Sequence, residues 1–181
     1  MLQAENENLK ISSQNQFDKY LQEHDFVREE YRTLFYSHRK QLQEEDFEKW
    51  QTLNPLYPEM EIFLGRLNPA TTYIVTTKDL KSVELILEAH SIKLNPENMY
   101  RATRTYGKPM ILQEIIQKNK IDPADLHFID DHVATLIEVS EHIHVNCYCA
   151  DWGYNTLEQQ AKLVKRDIQI DSIDNFSNRF I

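Results

Sequence analysis

Thr76, Thr77, Lys108, Asp130 and Asp131 are the residues of this chain whose types and spacing could do chemistry. The threonines end the β-rich run Thr72-Tyr-Ile-Val-Thr76, the lysine sits in Gly107-Lys108-Pro109 at a predicted helix start, and the aspartates follow the run Leu126-His-Phe-Ile129. In parallel α/β sheets ligands bind beyond the carboxyl ends of the strands, so residues that finish strands carry the first weight. A hydroxyl, an ammonium and a carboxylate pair on one such edge suit a phosphoryl group with a divalent cation. Hydroxyl and backbone N–H groups grip phosphate oxygens, the lysine offsets their charge, and carboxylates are hard oxygen ligands for Mg2+.

Each residue also has a plainer reading. A Thr closing a strand is commonly a β-former or a capping hydroxyl. A Lys before a Pro is commonly a solvated surface residue. Two adjacent aspartates repel unless something positive offsets them, but they also serve as caps for the next helix. The order of the motifs and their placement at strand ends lift the chemical reading above its parts.

The elements that must position these groups follow from periodicity. Apolar residues from Phe17 to Leu53 recur at helical spacing (Phe17, Tyr20, Leu21; Val27, Tyr31, Leu34, Phe35, His38, Leu42; Phe47, Trp50), which predicts two or three amphipathic helices. Asn54-Pro55-Leu56-Tyr57-Pro58 breaks that pattern, so residues 1–56 are read as a helical segment and residues 57–181 as an α/β domain. There, short β-rich runs alternate with helical patterns, the mark of a Rossmann-type parallel sheet. Helices are expected from Pro58 through Leu67, from the cap Asp79 through Ala89, and over 108–118, 133–139 and 157–164. Strands are expected at 72–76, 126–129, 143–150 and 168–170. His142 and His144 alternate along the third of these, and no zinc spacing surrounds them.

Composition removes other classes. A 181-residue chain with a formal charge of −9 lacks the basic surplus that a nucleic-acid backbone or an anionic membrane surface requires. Its apolar runs fall far short of the ~20 residues that span a bilayer. Met1 to Asn8 has neither the basic end nor the apolar stretch of a secretory signal, so a cytoplasmic location is expected. Three glycines in all cannot build a dinucleotide fingerprint or a Walker loop. Cys147 and Cys149, two apart on a strand, share a face and are expected as reduced core thiols.

Tyr73-Ile-Val-Thr-Thr-Lys-Asp79, Gly107-Lys-Pro109 and His127-Phe-Ile-Asp-Asp131 resemble motifs two, three and four of the haloacid dehalogenase (HAD) superfamily, in the family's order. Asp151-Trp-Gly-Tyr154 is similar to the loop after motif four in its phosphatase branch. The resemblance covers about residues 57–181, and the helical part before it resembles the family's small helical cap. It implies a HAD-like α/β core in which Thr76 donates its hydroxyl to the phosphoryl group beside the N–H of Thr77. Lys108 would neutralise the phosphate and the attacking carboxylate, Asp131 would bind Mg2+ directly, and Asp130 would support it. In the cap segment, Tyr36, His38 and Arg39 are the candidates to face the substrate, and His132 is expected at the start of a helix.

Family members attack phosphorus with the first aspartate of an Asp-x-Asp motif on the first strand, and no two aspartates of this chain lie two apart. In the family that strand lies between those of motifs two and four. The resemblance therefore implies an Mg2+-dependent phosphatase for a small phosphorylated metabolite, of phosphoglycolate or sugar-phosphate type, with its N-terminal nucleophile segment missing. The alternative is a catalytically silent HAD-like domain that binds a ligand or protein partner. The strands ending at Thr76 and Ile129 are expected in one parallel sheet, with a gap between them and with Thr76, Lys108 and Asp131 at one edge.

Overall fold

The computed structural model describes residues 14–23 and 25–180, and the chain divides into two units, residues 1–54 and 55–181. Met1 to Asn8 and the side chains of Phe17 and Val27 lie outside the described residues. The first unit holds helices α1 (Gln14–Glu23), α2 (Asp25–Glu45) and α3 (Phe47–Thr52). Asp46 separates the last two because its carboxylate accepts the Lys49 N–H at 3.1 Å, satisfying one of the donors a helix start leaves free. Phe47 stacks on the buried Trp50 with centroids 5.6 Å apart. Among the described residues no helix is long and apolar enough to cross a membrane.

The second unit alternates helix and strand. Helix α4 (Pro58–Arg66) opens on a proline, which suits a first turn whose N–H has no partner anyway. Strand β1 (Ile74–Thr76) leads to α5 (Leu80–Ala89), where Asp79 caps the helix by accepting from the Ser82 N–H at 2.8 Å. Then come β2 (Met99–Arg101), α6 (Lys108–Asn119), β3 (His127–Asp130), α7 (Val133–His142), β4 (Asn146–Ala150), α8 (Leu157–Val164), β5 (Gln169–Asp171) and α9 (Ile173–Arg179). A capping box at Thr156 and Gln159 starts α8.

The strands form two parallel sheets rather than the single sheet expected. Strand β1 pairs with β2, and β3, β4 and β5 form the second sheet in that order. Strand β2 and helix α9 carried too little periodicity in three and seven residues to be foreseen. The stretch 143–145 lies outside β4, and His142 is not a strand residue: it ends α7 with Nδ1 2.7 Å from the Glu138 carbonyl. His144 falls in the connection that follows.

Side-chain parity shows that the two sheets share their covering layers. Tyr73, Val75, Tyr100, Phe128, Cys147 and Cys149 face one side, where Ile111, Leu112 and Ile115 of α6 and Leu136 and Val139 of α7 pack on them. Ile74 and Met99 face the other side with Val83 and Leu87 of α5, while Ile129 and Tyr148 face it with Phe63 and Phe176. Leu64 of α4 packs against both of those clusters, so α4 spans the two sheets on one side as α6 does on the other. Arg179 of α9 grips the buried Asp171 at 3.0 and 3.2 Å and lies over the Tyr148 ring.

Candidate functional site

Lys108 is the first residue of α6, so its side chain leans back toward the helix start. That direction brings Nζ onto Asp130 Oδ2, at the last position of β3. The pair is largely out of water, with the Asp130 side chain 4% and the Lys108 side chain 19% exposed. A carboxylate buried this deeply requires a charged partner, and Lys108 supplies it. The other oxygen, Oδ1, accepts the His132 N–H at 2.9 Å, a local turn that hands the chain from β3 into α7.

Asp131 is held from across the chain. Its Oδ2 accepts the Tyr154 N–H at 2.8 Å, and its backbone carbonyl accepts from Asn155 Nδ2 at 3.0 Å. The same Asn155 amide donates to the Ala150 carbonyl at 2.8 Å, and its oxygen accepts from Gln160 Nε2 at 2.6 Å. The loop passes so close to Asp131 that a Cβ on Gly153 would lie 2.1 Å from the Asp131 Cβ, so position 153 tolerates no side chain. Tyr57 anchors the loop's other flank by donating its hydroxyl to the Trp152 carbonyl at 3.3 Å.

Around these groups lies an open cleft of about 260 Å³, lined by Lys108, Asp130, Asp131, Val75, Ile129 and Trp152 among others. The structure thus brings Lys108, Asp130 and Asp131 together. Thr76 and Thr77 are not among the lining residues. Thr76 ends β1, its hydroxyl accepting the Lys78 N–H at 3.1 Å and its carbonyl accepting the Ala102 N–H at 2.8 Å, and Thr77 is exposed. His132 occupies the cap position of α7 with Nδ1 3.0 Å from Thr135 Oγ1. Tyr36, His38 and Arg39 all lie on α2 in the other unit, where Tyr36 packs edge-on against Phe35. Sequence reasoning missed Asn155 and Tyr57. Asn155 stands one residue beyond the recognised loop motif, and nothing in the run Leu56-Tyr57-Pro58 distinguishes a hydroxyl anchor.

Burial next to these carboxylates tunes the neighbouring thiols. Cys149 is pushed up to about 11 chiefly by burial and secondarily by Asp131, Asp130 and Asp151, and Cys147 to about 11 by burial and Asp130. Both cysteines are free, and at this level neither is a nucleophile near neutrality. Among the described residues no group of three or more His, Cys, Asp or Glu is placed to hold a metal. Two carboxylates alone still suit a Mg2+ ion that keeps most of its waters, and Asp131 Oδ1 is the oxygen best placed to reach one, since both Asp130 oxygens are engaged. Comparison with known proteins yields no match to a family model, a curated protein or a solved structure.

Proposed function

We propose that residues 57–181 form a HAD-like phosphatase core that handles a small phosphomonoester with Mg2+, of phosphoglycolate or sugar-phosphate type. The observation that carries this reading is the convergence of one ammonium and two carboxylates, Lys108, Asp130 and Asp131, in a cleft at the carboxyl end of β3. In this role Lys108 offsets phosphate charge, Asp131 offers an oxygen to the cation, and Asp130 fixes the Lys108 ammonium at the cleft floor. Thr76 ends β1 outside the cleft lining, and in this reading its hydroxyl, whose oxygen accepts the Lys78 N–H, keeps its proton to donate. Bound Mg2+ would supply charge stabilisation for the phosphoryl oxygens. The carboxylate nucleophile of such a reaction is not encoded in these 181 residues as an Asp-x-Asp, so this chain alone is expected to be inert toward aryl phosphates.

Calorimetric titration with Mg2+ tests the reading. Asp131→Asn should weaken binding, while Tyr36→Ala on α2 should leave it unchanged. Identical curves for the parent and Asp131→Asn would reduce the pair to helix and loop caps. The Lys108–Asp130 contact favours a second reading, a silent domain of the same fold: with the ammonium already neutralised inside the protein, the site is self-satisfied without a ligand. Micromolar-to-millimolar Mg2+ binding by the parent separates the two.

A further inference from the structure

Apart from Lys108, Asp130 and Asp131, the side chains around the cleft are apolar or aromatic. Val75 and Ile129 contribute aliphatic surface, and Tyr57 and Trp152 contribute rings. Tyr57 is 54% exposed, and its hydroxyl is spent on the Trp152 carbonyl at 3.3 Å, which ties the two residues together. Trp152 is half-buried. Its ring lies near Phe176, with centroids 6.4 Å apart, and its remaining surface lines the cleft. Two aromatic side chains left partly in water at one cleft mark a place where a ligand gains by covering them.

The rings and the charged groups are held in fixed relation. Trp152 precedes Gly153, which lies so close to Asp131 that no Cβ fits, and Tyr154 follows with its N–H on Asp131 Oδ2 at 2.8 Å. A phosphoryl group held by Lys108 and Asp131 therefore leaves its ester substituent in the same cleft of about 260 Å³, beside the rings. A phosphate carrying a two-carbon chain leaves much of that space empty.

Charge counts against a second anion. Lys108 is the one cation among the lining residues, and Asp130 already balances it. A bound Mg2+ balances a phosphate dianion, so the Asp131 carboxylate is left over and the occupied cleft is net negative. A carboxylate on the leaving group would enter that field without a partner, a cost that an uncharged group avoids.

We propose that Tyr57 and Trp152 determine specificity at this site by stacking an uncharged ring of the leaving group, selecting ring-bearing phosphomonoesters over phosphoglycolate-type esters with a second anion. The inference rests on the phosphatase reading and narrows its substrate range. The chemistry recognised is a flat, uncharged ring face, which an aryl group and the C–H face of a sugar both present.

The test is calorimetric titration of the full chain, with Mg2+, using methyl phosphate, phenyl phosphate, glucose 6-phosphate and phosphoglycolate. At least one of the two ring esters should bind about tenfold tighter than methyl phosphate, and the tighter of them identifies the ring as aryl or sugar. Phosphoglycolate should bind no better than methyl phosphate. Trp152→Leu keeps apolar packing on Phe176 but removes the ring, so it should erase the preference and leave methyl phosphate affinity unchanged. Tyr57→Leu should reduce the preference severalfold, which keeps the idea testable if one variant fails to fold. Trp50 is 1% exposed in the other unit, so tryptophan emission that responds to the ring esters and not to methyl phosphate places the ring at Trp152. Methyl phosphate that binds while neither ring ester binds tighter overturns the inference and spares the phosphatase reading. A ring preference that survives in both variants, or phosphoglycolate binding tighter than both ring esters, does the same. No binding of any of the four overturns both.

Discussion

The sheet of β1 and β2 and the sheet of β3, β4 and β5 are built from the same kind of sequence, short apolar runs between amphipathic helices, yet they end in different states. Strand β4 buries four of its five residues, and its cysteines are out of water. Strand β1 buries none of its three. Composition does not separate them: Ile74-Val75 is as apolar as Cys147-Tyr148. Lateral neighbours do. Facial packing by helices is common to both, and only a strand flanked on both edges escapes solvent.

The largest expected effect probes this contrast in the cores. Leu136 is fully buried on α7, which packs on β3 and β4 of the larger sheet, and Leu136→Ala should cost about 4 kcal/mol by urea denaturation. Leu87, in the cluster of the smaller sheet, keeps some solvent contact, and Leu87→Ala should cost about 2 kcal/mol. Equal losses would break the comparison. A smaller effect is expected where the loop after β4 meets β3. Gly153→Ala drives a methyl group into Asp131 and should cost about 2 kcal/mol, releasing the Tyr154 N–H from the Asp131 carboxylate. A stability equal to the parent's would mean the loop is free to move away.

The smallest effect is a pH slope at the other end of the larger sheet. Partial desolvation of the ring against Tyr148 and Phe180, with help from the Arg179 charge, lowers the His127 pKa below its ordinary 6.5. The unfolded chain then takes up this proton first as pH falls. The stability contributed by neutral His127 is present above about pH 6.5 and is lost as the pH drops through that value toward the folded pKa. Between pH 7.5 and 5.5 the parent should lose more stability than His127→Asn. Parallel pH profiles would show that the imidazole, hydrogen-bonded to the Tyr148 hydroxyl at 3.0 Å, exchanges protons equally well in both states.

Helices were more legible in the sequence than strand pairing. Asp79 and the proline at 58 announce their helices because capping is a local event, settled within four residues. The strand ending at Thr76 was visible, but its partner Met99–Arg101 was not, since three residues cannot display a period. At the site, Lys108, Asp130 and Asp131 were readable as strand-end and helix-start residues. The Asn155 amide was not, because its role depends on two carbonyls 5 and 24 residues away that only folding brings together.

Loss of that amide to hydrolysis would reach beyond the loop. Asn155 Nδ2 directs its two N–H groups to the Asp131 and Ala150 carbonyls, the points where the chain leaves β3 and β4. Hydrolytic deamidation would exchange this nitrogen for a carboxylate oxygen. A bridge between two strand ends would become a charge pressed against two carbonyl oxygens and close to the Asp131 carboxylate. One slow chemical event at one side chain would then loosen the loop from Asp131, with every catalytic candidate still chemically intact.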